Sequence, residues 1–245
     1  MTEKPLVSIV VRAHARPELL ERTRETLKSQ RYPSVETIVV DQGESRAAVD
    51  AALRSTKGAY VALCDAGDVF FSDHFERLVP ILEIPRNMIA YSEGLIAFVD
   101  ADAGDRITGY ARTQAIPVEY GKMLGADEFV AGAARTLIRR EALERAGWLS
   151  NAPSPLSDYA LWLRLLQNDD FVHVDRVTVI HRCVVPQPSA HAVVDARVIE
   201  ALRTIDALYP VSGRPRLAAR RAEILNYVQR TGRLPAPEQR WQFPK

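Results

Sequence analysis

Two cysteines stand in 245 residues, Cys64 and Cys183, and they form no CxxC pair. So few thiols, so spaced, exclude a disulfide framework and a thiolate zinc site. Charge of one sign is also missing. Lysine and arginine number 32 against 31 aspartates and glutamates, so no chain-wide field draws the protein to nucleic acid. No apolar stretch approaches the roughly 18–20 residues that cross a bilayer. Residues 1–5 are short and polar and lack the apolar core of a secretory signal, so a cytoplasmic protein is expected. A glycine-rich phosphate turn is absent where a dinucleotide-binding fold would carry it. The first apolar run leads into Arg12-Ala13-His14-Ala15-Arg16, not GxGxxG, which argues against a Rossmann oxidoreductase. There is no internal repeat and no low-complexity tract.

What is present is an apolar content of 47%, enough for a sizeable core. Residues 6–11 are β-branched and too apolar to alternate, as in a strand covered on both faces. Pro17 then opens a helix to about residue 30, with Leu19, Leu20, Thr23 and Leu27 on one face. Residues 36–41 predict a second buried strand, 46–55 a helix, and 59–64 a third strand that ends at Asp65. Strand and helix alternate here as in a parallel sheet, where ligands sit at the carboxyl ends of strands, and Asp41 and Asp65 fall at such ends. Further on, a helix is expected over 72–82 with Ser72 as its N-cap, and strands over 88–92, 95–99 and 107–110. Then come a strand at 136–138, a helix over 140–146 stopped by Gly147, a helix over 158–167, and strands at 171–174 and 177–181. Helices over 193–208 and 217–230 close the chain.

The motifs in that order resemble the family 2 inverting glycosyltransferases. Ser8-Ile9-Val10-Val11-Arg12-Ala13-His14-Ala15-Arg16-Pro17 lies on the family's SVVIPTYNRP-like start. Gln30-Arg31-Tyr32-Pro33 matches QxYP, and Ile38-Val39-Val40-Asp41-Gln42-Gly43 resembles IVVDDG. Lys57-Gly58-Ala59-Tyr60-Val61-Ala62-Leu63-Cys64-Asp65-Ala66-Gly67-Asp68 resembles AxGxYIAFLDADD. Ile138-Arg139-Arg140-Glu141-Ala142-Leu143 with Gly147-Trp148 resembles RREALxxxGGF, and Ser157-Asp158-Tyr159-Ala160-Leu161-Trp162 resembles EDYDLW. The likeness runs over residues 5–189. It implies an α/β fold of the GT-A type: a Rossmann-like, mostly parallel central sheet flanked by helices, with a C-terminal helical appendage. Residues 1–190 would form the transferase domain and residues 191–245 a basic extension.

The same resemblance implies the chemistry. A nucleotide-diphospho-sugar donor brings phosphate charge, and its leaving group gains more as the glycosidic bond breaks. Carboxylates that hold Mn²⁺ or Mg²⁺ can offset that charge. By position Asp65 and Asp68 would hold the metal, with Asp65 and Ala66 also beside the ribose. Ala13, His14, Arg16, Asp41 and Arg46 would meet the nucleotide, with Arg54 a further phosphate candidate. Asp158 would be the general base that takes the proton of an acceptor hydroxyl on a glycan or lipid-linked acceptor. An aspartate at a strand end is equally a cap or a turn former, and Asp158 also suits the N-cap of its helix.

Five departures from the family pattern bear on function. Gly67 stands where the middle acidic residue belongs, Ser157 where a glutamate precedes the base, and Gln42 where a second aspartate follows Asp41. Ala13-His14 replaces the Thr-Tyr pair at the nucleobase. The connection from Asp41 to Gly58 is short and lacks the usual extra strand. Two readings therefore stand: an active inverting transferase, and a catalytically impaired module of the same fold that binds or scaffolds. Asp100-Ala101-Asp102-Ala103-Gly104-Asp105 imitates a calcium loop, but its glycine comes one position early and Ala111 replaces the bidentate glutamate. A solvated hairpin turn is expected there. His173 and His181 read as structural residues on strands. Residues 211–245 carry eight Lys/Arg against two Glu, so the tail suits packing on the domain, an anionic membrane surface or another subunit.

Overall fold

A computed structural model describes residues 4–13, 16–41, 46–100, 104–112, 133–149 and 157–184, together with four exposed helical positions, Ala219, Ala222, Asn226 and Arg230. Those four positions fall within the helix expected over 217–230; the rest of the 191–245 extension, with the helix expected over 193–208, lies outside the described residues, as do His14 and Gln42.

The first half follows the strand–helix alternation of the sequence. Strand β1 (Val7–Arg12) leads to α1 (Pro17–Lys28), β2 (Val35–Val40), α2 (Arg46–Ser55) and β3 (Tyr60–Asp65). Strands β1 and β3 are buried along almost their whole length, as unalternating apolar runs demand. Both neighbours of β1 are parallel to it, and Arg12 is level with Val40 on one side and Asp65 on the other.

The second half departs from a mostly parallel sheet. After the short β4 (Val69–Phe70) and α3 (His74–Glu83) come β5 (Ile89–Asp100), β6 (Arg106–Arg112), β7 (Thr136–Arg139), α4 (Arg140–Arg145), α5 (Ser157–Leu166) and β8 (Phe171–Val184). Among the described residues the order is β2-β1-β3-β7-β5-β8-β4, with β6 also on β5. Four of the seven pairings are antiparallel, so the sheet is mixed. Two of the four belong to β7, four residues that run against both of their neighbours, β3 and β5. Nothing in so short a run reveals its direction.

Two expected strand pairs are single strands. Gly94 looks like a break within 88–99, yet β5 runs straight through it. A Cβ at position 94 would meet the Val179 carbonyl oxygen at 3.2 Å and the Arg135 side chain at 3.3 Å. Gly94 thus serves close approach, not a turn. Likewise 171–174 and 177–181 join as β8, and Asp175 and Arg176 are absorbed as a bulge: the register passes from Ser92–Val174 to Glu93–Val177. Helix α3 begins later than expected. Asp73, not Ser72, holds the cap position, and its carboxylate bonds Arg77 Nε at 2.5 Å.

Alternation along the strands divides the core in two. Val10, Val61, Leu63, Ile89 and Tyr91 face α2, α4 and α5, while Ile9, Val11, Ala62 and Cys64 face α1 and α3. Cys64 is fully buried, which pushes its thiol pKa up, as its reading as a small core residue requires. At the amino end of β3, Arg139 and Arg140 tie neighbouring segments by their carbonyls. Arg139 Nε donates to Asn87 O at 2.8 Å and its Nη2 to Leu82 O, while Arg140 donates to Gly58 O at 3.1 Å and to Thr56 O. Their guanidinium planes lie over Tyr60 and Trp148.

His74, wholly buried, is held between Phe70 and Phe75; its Nδ1 donates to Thr178 Oγ1 at 2.6 Å, and Thr178 donates on to Ser92 Oγ at 2.7 Å. Burial lowers the imidazole pKa to about 3. The unfolded chain takes up this proton near pH 6.5, so stability is full above that pH and declines as pH falls toward 3, by about 1.4 kcal/mol per unit at most. Denaturant titrations between about pH 6 and pH 4 are expected to show that slope reduced by one proton in His74→Gln. An unchanged slope would assign the acid loss to other groups.

Candidate active site

Three aspartates, an arginine and a histidine converge at the carboxyl ends of β1 and β3. Arg12 and Asp65 end their strands as register partners on the same face, so their side chains meet. Arg12 Nε donates to Asp65 Oδ1 at 2.6 Å and Nη2 to Asp65 Oδ2 at 2.9 Å. Its third nitrogen, Nη1, reaches Asp158, 3.0 Å from Oδ1 and 2.9 Å from Oδ2. Asp158 lies in the first turn of α5. Leu161, Trp162 and Leu165, three, four and seven positions on, bury themselves in the core and aim that helical face, Asp158 included, at the sheet. Burial opposes the Arg12 charge, but Asp158 and Asp65 outweigh it and raise its pKa.

Asp68 is brought in by a turn. Asp68 N–H donates to Asp65 O at 3.1 Å, and Gly67 sits between at φ +104°, a conformation that favours glycine. Thr23 of α1 clamps the loop: its Oγ1 accepts from Gly67 N–H at 2.8 Å and donates to Asp68 O at 2.9 Å. The Asp68 side chain is fully buried, and its Oδ2 accepts the Asp65 N–H at 2.9 Å. Strand β4 pairs antiparallel with β8, Val69 opposite Ile180. The next residues in that register are Asp68 and His181, and His181 Nδ1 lies 2.8 Å from Asp68 Oδ1. Burial works against His181 protonation; the hydrogen bond and charge of Asp68 prevail and raise its pKa.

Asp65, Asp68 and His181 each offer a ligand atom, all within 4.8 Å of one another. Two carboxylates and one imidazole suit Mn²⁺, and oxygen ligands suit Mg²⁺, so the residues fit the expected metal. His181, read from sequence as structural, offers a third ligand atom where Gly67 has none. A Cβ at 67 would come within 2.9 Å of Arg182 Cδ, so an acidic side chain in the family's place would collide with Arg182 and strain the backbone.

The remaining expected nucleotide contacts are dispersed. Ala13 is buried and bonds Val40 O at 3.0 Å through its N–H; Ala66 is buried and bonds Arg12 O at 2.9 Å. Both therefore shape backbone at the site. Asp41 is exposed at the end of β2. Arg46 donates to Leu149 O at 3.0 Å, and Arg54 to Asp50 at 2.8 Å at the far end of α2. Arg16 pairs with Glu18 at 2.8 Å and with Asp105 at 2.7 Å. Asp105 also accepts from Arg182 at 2.6 Å. Residues 101–103 of the expected hairpin turn lie outside the described residues, but Asp105, at φ +64°, is more than a solvated turn residue: it is clamped by two arginines, which lower its carboxyl pKa. Arg12 is the residue sequence reasoning missed. The signal was its place at the end of an apolar strand, where the family pattern carries proline.

No family model and no curated protein matches this chain. Among the described residues no helix is long and apolar enough to cross a membrane. Solved structures do match. TarS 1–349 of S. aureus in complex with UDP-GlcNAc is 12% identical at a TM-score of 0.65, over 92% of this chain and 73% of that one. The mannosyltransferase PcManGT of Pyrobaculum calidifontis, in complex with GDP-Man and Mn²⁺, is 18% identical at a TM-score of 0.54, over 97% of this chain and 79% of that one. The chain therefore has a GT-A-like glycosyltransferase fold, built on a mixed α/β sheet.

Proposed function

We propose that this chain is an inverting glycosyltransferase that moves a sugar from a nucleoside-diphosphate donor to a hydroxyl of a glycan or lipid-linked acceptor. The observation that carries this reading is the placement of Asp158 opposite Asp65 and Asp68, across Arg12, at the carboxyl ends of parallel strands. Asp158 takes the proton from the acceptor hydroxyl. The freed oxygen attacks the anomeric carbon from the face opposite the diphosphate, the carbon–oxygen bond to phosphate breaks, and the nucleoside diphosphate leaves with the electron pair. Arg12, bonded to both Asp65 and Asp158, would help offset the charge of the leaving group. A divalent cation held by Asp65, Asp68 and His181 would supply further neutralisation of the diphosphate. The Thr23 clamp fixes the Asp65–Asp68 turn so that these groups need little reorganisation.

Gly67, Ser157 and the short connection after Asp41 favour a second reading, a module of this fold that binds without catalysis. Calorimetry with UDP-, GDP- and dTDP-sugars, each with and without Mn²⁺, is expected to reveal one donor whose binding tightens with the metal. Donor binding without any turnover across a panel of acceptors would favour the second reading. No binding of any nucleotide sugar would overturn both.

A further inference from the structure

We propose that Arg12 is a built-in counter-cation that closes the Asp65–Asp68–His181 group to a free divalent ion and opens it only when a diphosphate is bound. This rests on the reading of those three residues as cation ligands, and not on sugar transfer itself.

Three of the four oxygens of the two aspartates already have an internal donor, and the fourth lies against an imidazole nitrogen. Arg12 takes both oxygens of Asp65, the Asp65 N–H takes Asp68 Oδ2, and His181 faces Asp68 Oδ1. A dication arriving at Asp65 would share a carboxylate with a guanidinium. Their repulsion is strong because the site is mostly shielded from water, with the Arg12 and Asp65 side chains 16% and 24% exposed. Arg12 is also anchored from the other side by Asp158, so it cannot simply swing into solvent. A diphosphate changes the balance in two ways. It adds negative charge that offsets the crowded cations, and it offers the guanidinium fork a second partner of matching geometry. Metal and nucleotide would then bind as a coupled pair, each tightening the other by the same factor.

The test uses the full chain and the free Mn²⁺ signal in electron paramagnetic resonance. Wild type is expected to bind Mn²⁺ weakly alone and about tenfold or more tightly with UDP, GDP, dTDP or inorganic pyrophosphate. Arg12→Gln should bind Mn²⁺ without any diphosphate, about tenfold or more tightly than wild type, with the coupling largely lost. Arg12→Lys keeps the charge but loses the fork, so Mn²⁺ alone should stay weakly bound while the gain from a diphosphate shrinks. The proposal is overturned if wild type alone binds Mn²⁺ as tightly as its diphosphate complexes, or if no diphosphate tightens Mn²⁺. It is overturned equally if folded Arg12→Gln gains nothing. Should Arg12→Gln fail to fold, Arg12→Met, which keeps the apolar stem and removes the charge, is read in its place. None of these readings depends on turnover, so failure of the transferase reading is a separate result.

Discussion

Asp158→Asn is expected to lower sugar transfer by roughly a hundred- to ten-thousandfold, the range that a positioned general base contributes. The substitution preserves shape. Asparagine keeps an oxygen that can accept from Arg12 Nη1, and Arg12 stays doubly bonded to Asp65. The apolar residues that seat α5, Leu161, Trp162 and Leu165, are untouched. Folding and donor binding should therefore survive, and calorimetry should find the nucleotide affinity within about twofold of wild type if the loss lies in proton transfer alone. Release of nucleoside diphosphate measures the rate, with water or an offered sugar as acceptor. Transfer at the wild-type rate would remove Asp158 from its assigned role. Loss of donor binding along with transfer would make it a positioning group instead.

Asp68→Asn addresses the other half of the site. The carboxylate is fully buried and touches two partners that matter: the Asp65 backbone N–H, and His181. An asparagine can still accept the N–H, so the turn should hold. What it loses is the charge shared with a bound cation. Mn²⁺-dependent donor binding is expected to weaken by roughly a hundredfold or more, beyond the 10–100-fold typical of groups that only orient a ligand. Donor binding measured in a chelator should barely change. If the chelator abolishes all difference between wild type and variant, the site is a cation site. If the variant binds Mn²⁺ and donor as wild type does, Asp68 is a structural residue that braces a turn.

The first three strands and both intervening helices are legible because local signals determine them. A buried parallel strand needs only an uninterrupted apolar run, and Pro17 marks a helix start on its own. The sheet's second half is not legible, since the direction of β7 depends on neighbours distant in sequence. The continuity of β5 through Gly94 is hidden for a related reason: the crowding of that glycine by Val179 and Arg135 exists only after folding. At the site, Asp65, Asp68 and Asp158 stand in ordered motifs. His181 does not. It arrives through the pairing of a two-residue strand with β8, which no local pattern announces. Arg12 was visible as a charge closing an apolar strand, but its importance lies in spanning Asp65 and Asp158, 146 positions from the latter.

The two arginines at the other end of the sheet carry a different lesson. Arg139 and Arg140 spend their hydrogen bonds on the carbonyls of Asn87, Leu82, Gly58 and Thr56, and lay their planes on Tyr60 and Trp148. They rivet the floor of the domain. Contacts of this kind serve folding, whatever the chemistry at the other end. Such a motif speaks for the scaffold and is silent about turnover. The roof, where β1 and β3 end, is free to be refitted. Engineering of donor choice should therefore leave the riveted floor alone and work only on the residues that overhang the strand ends.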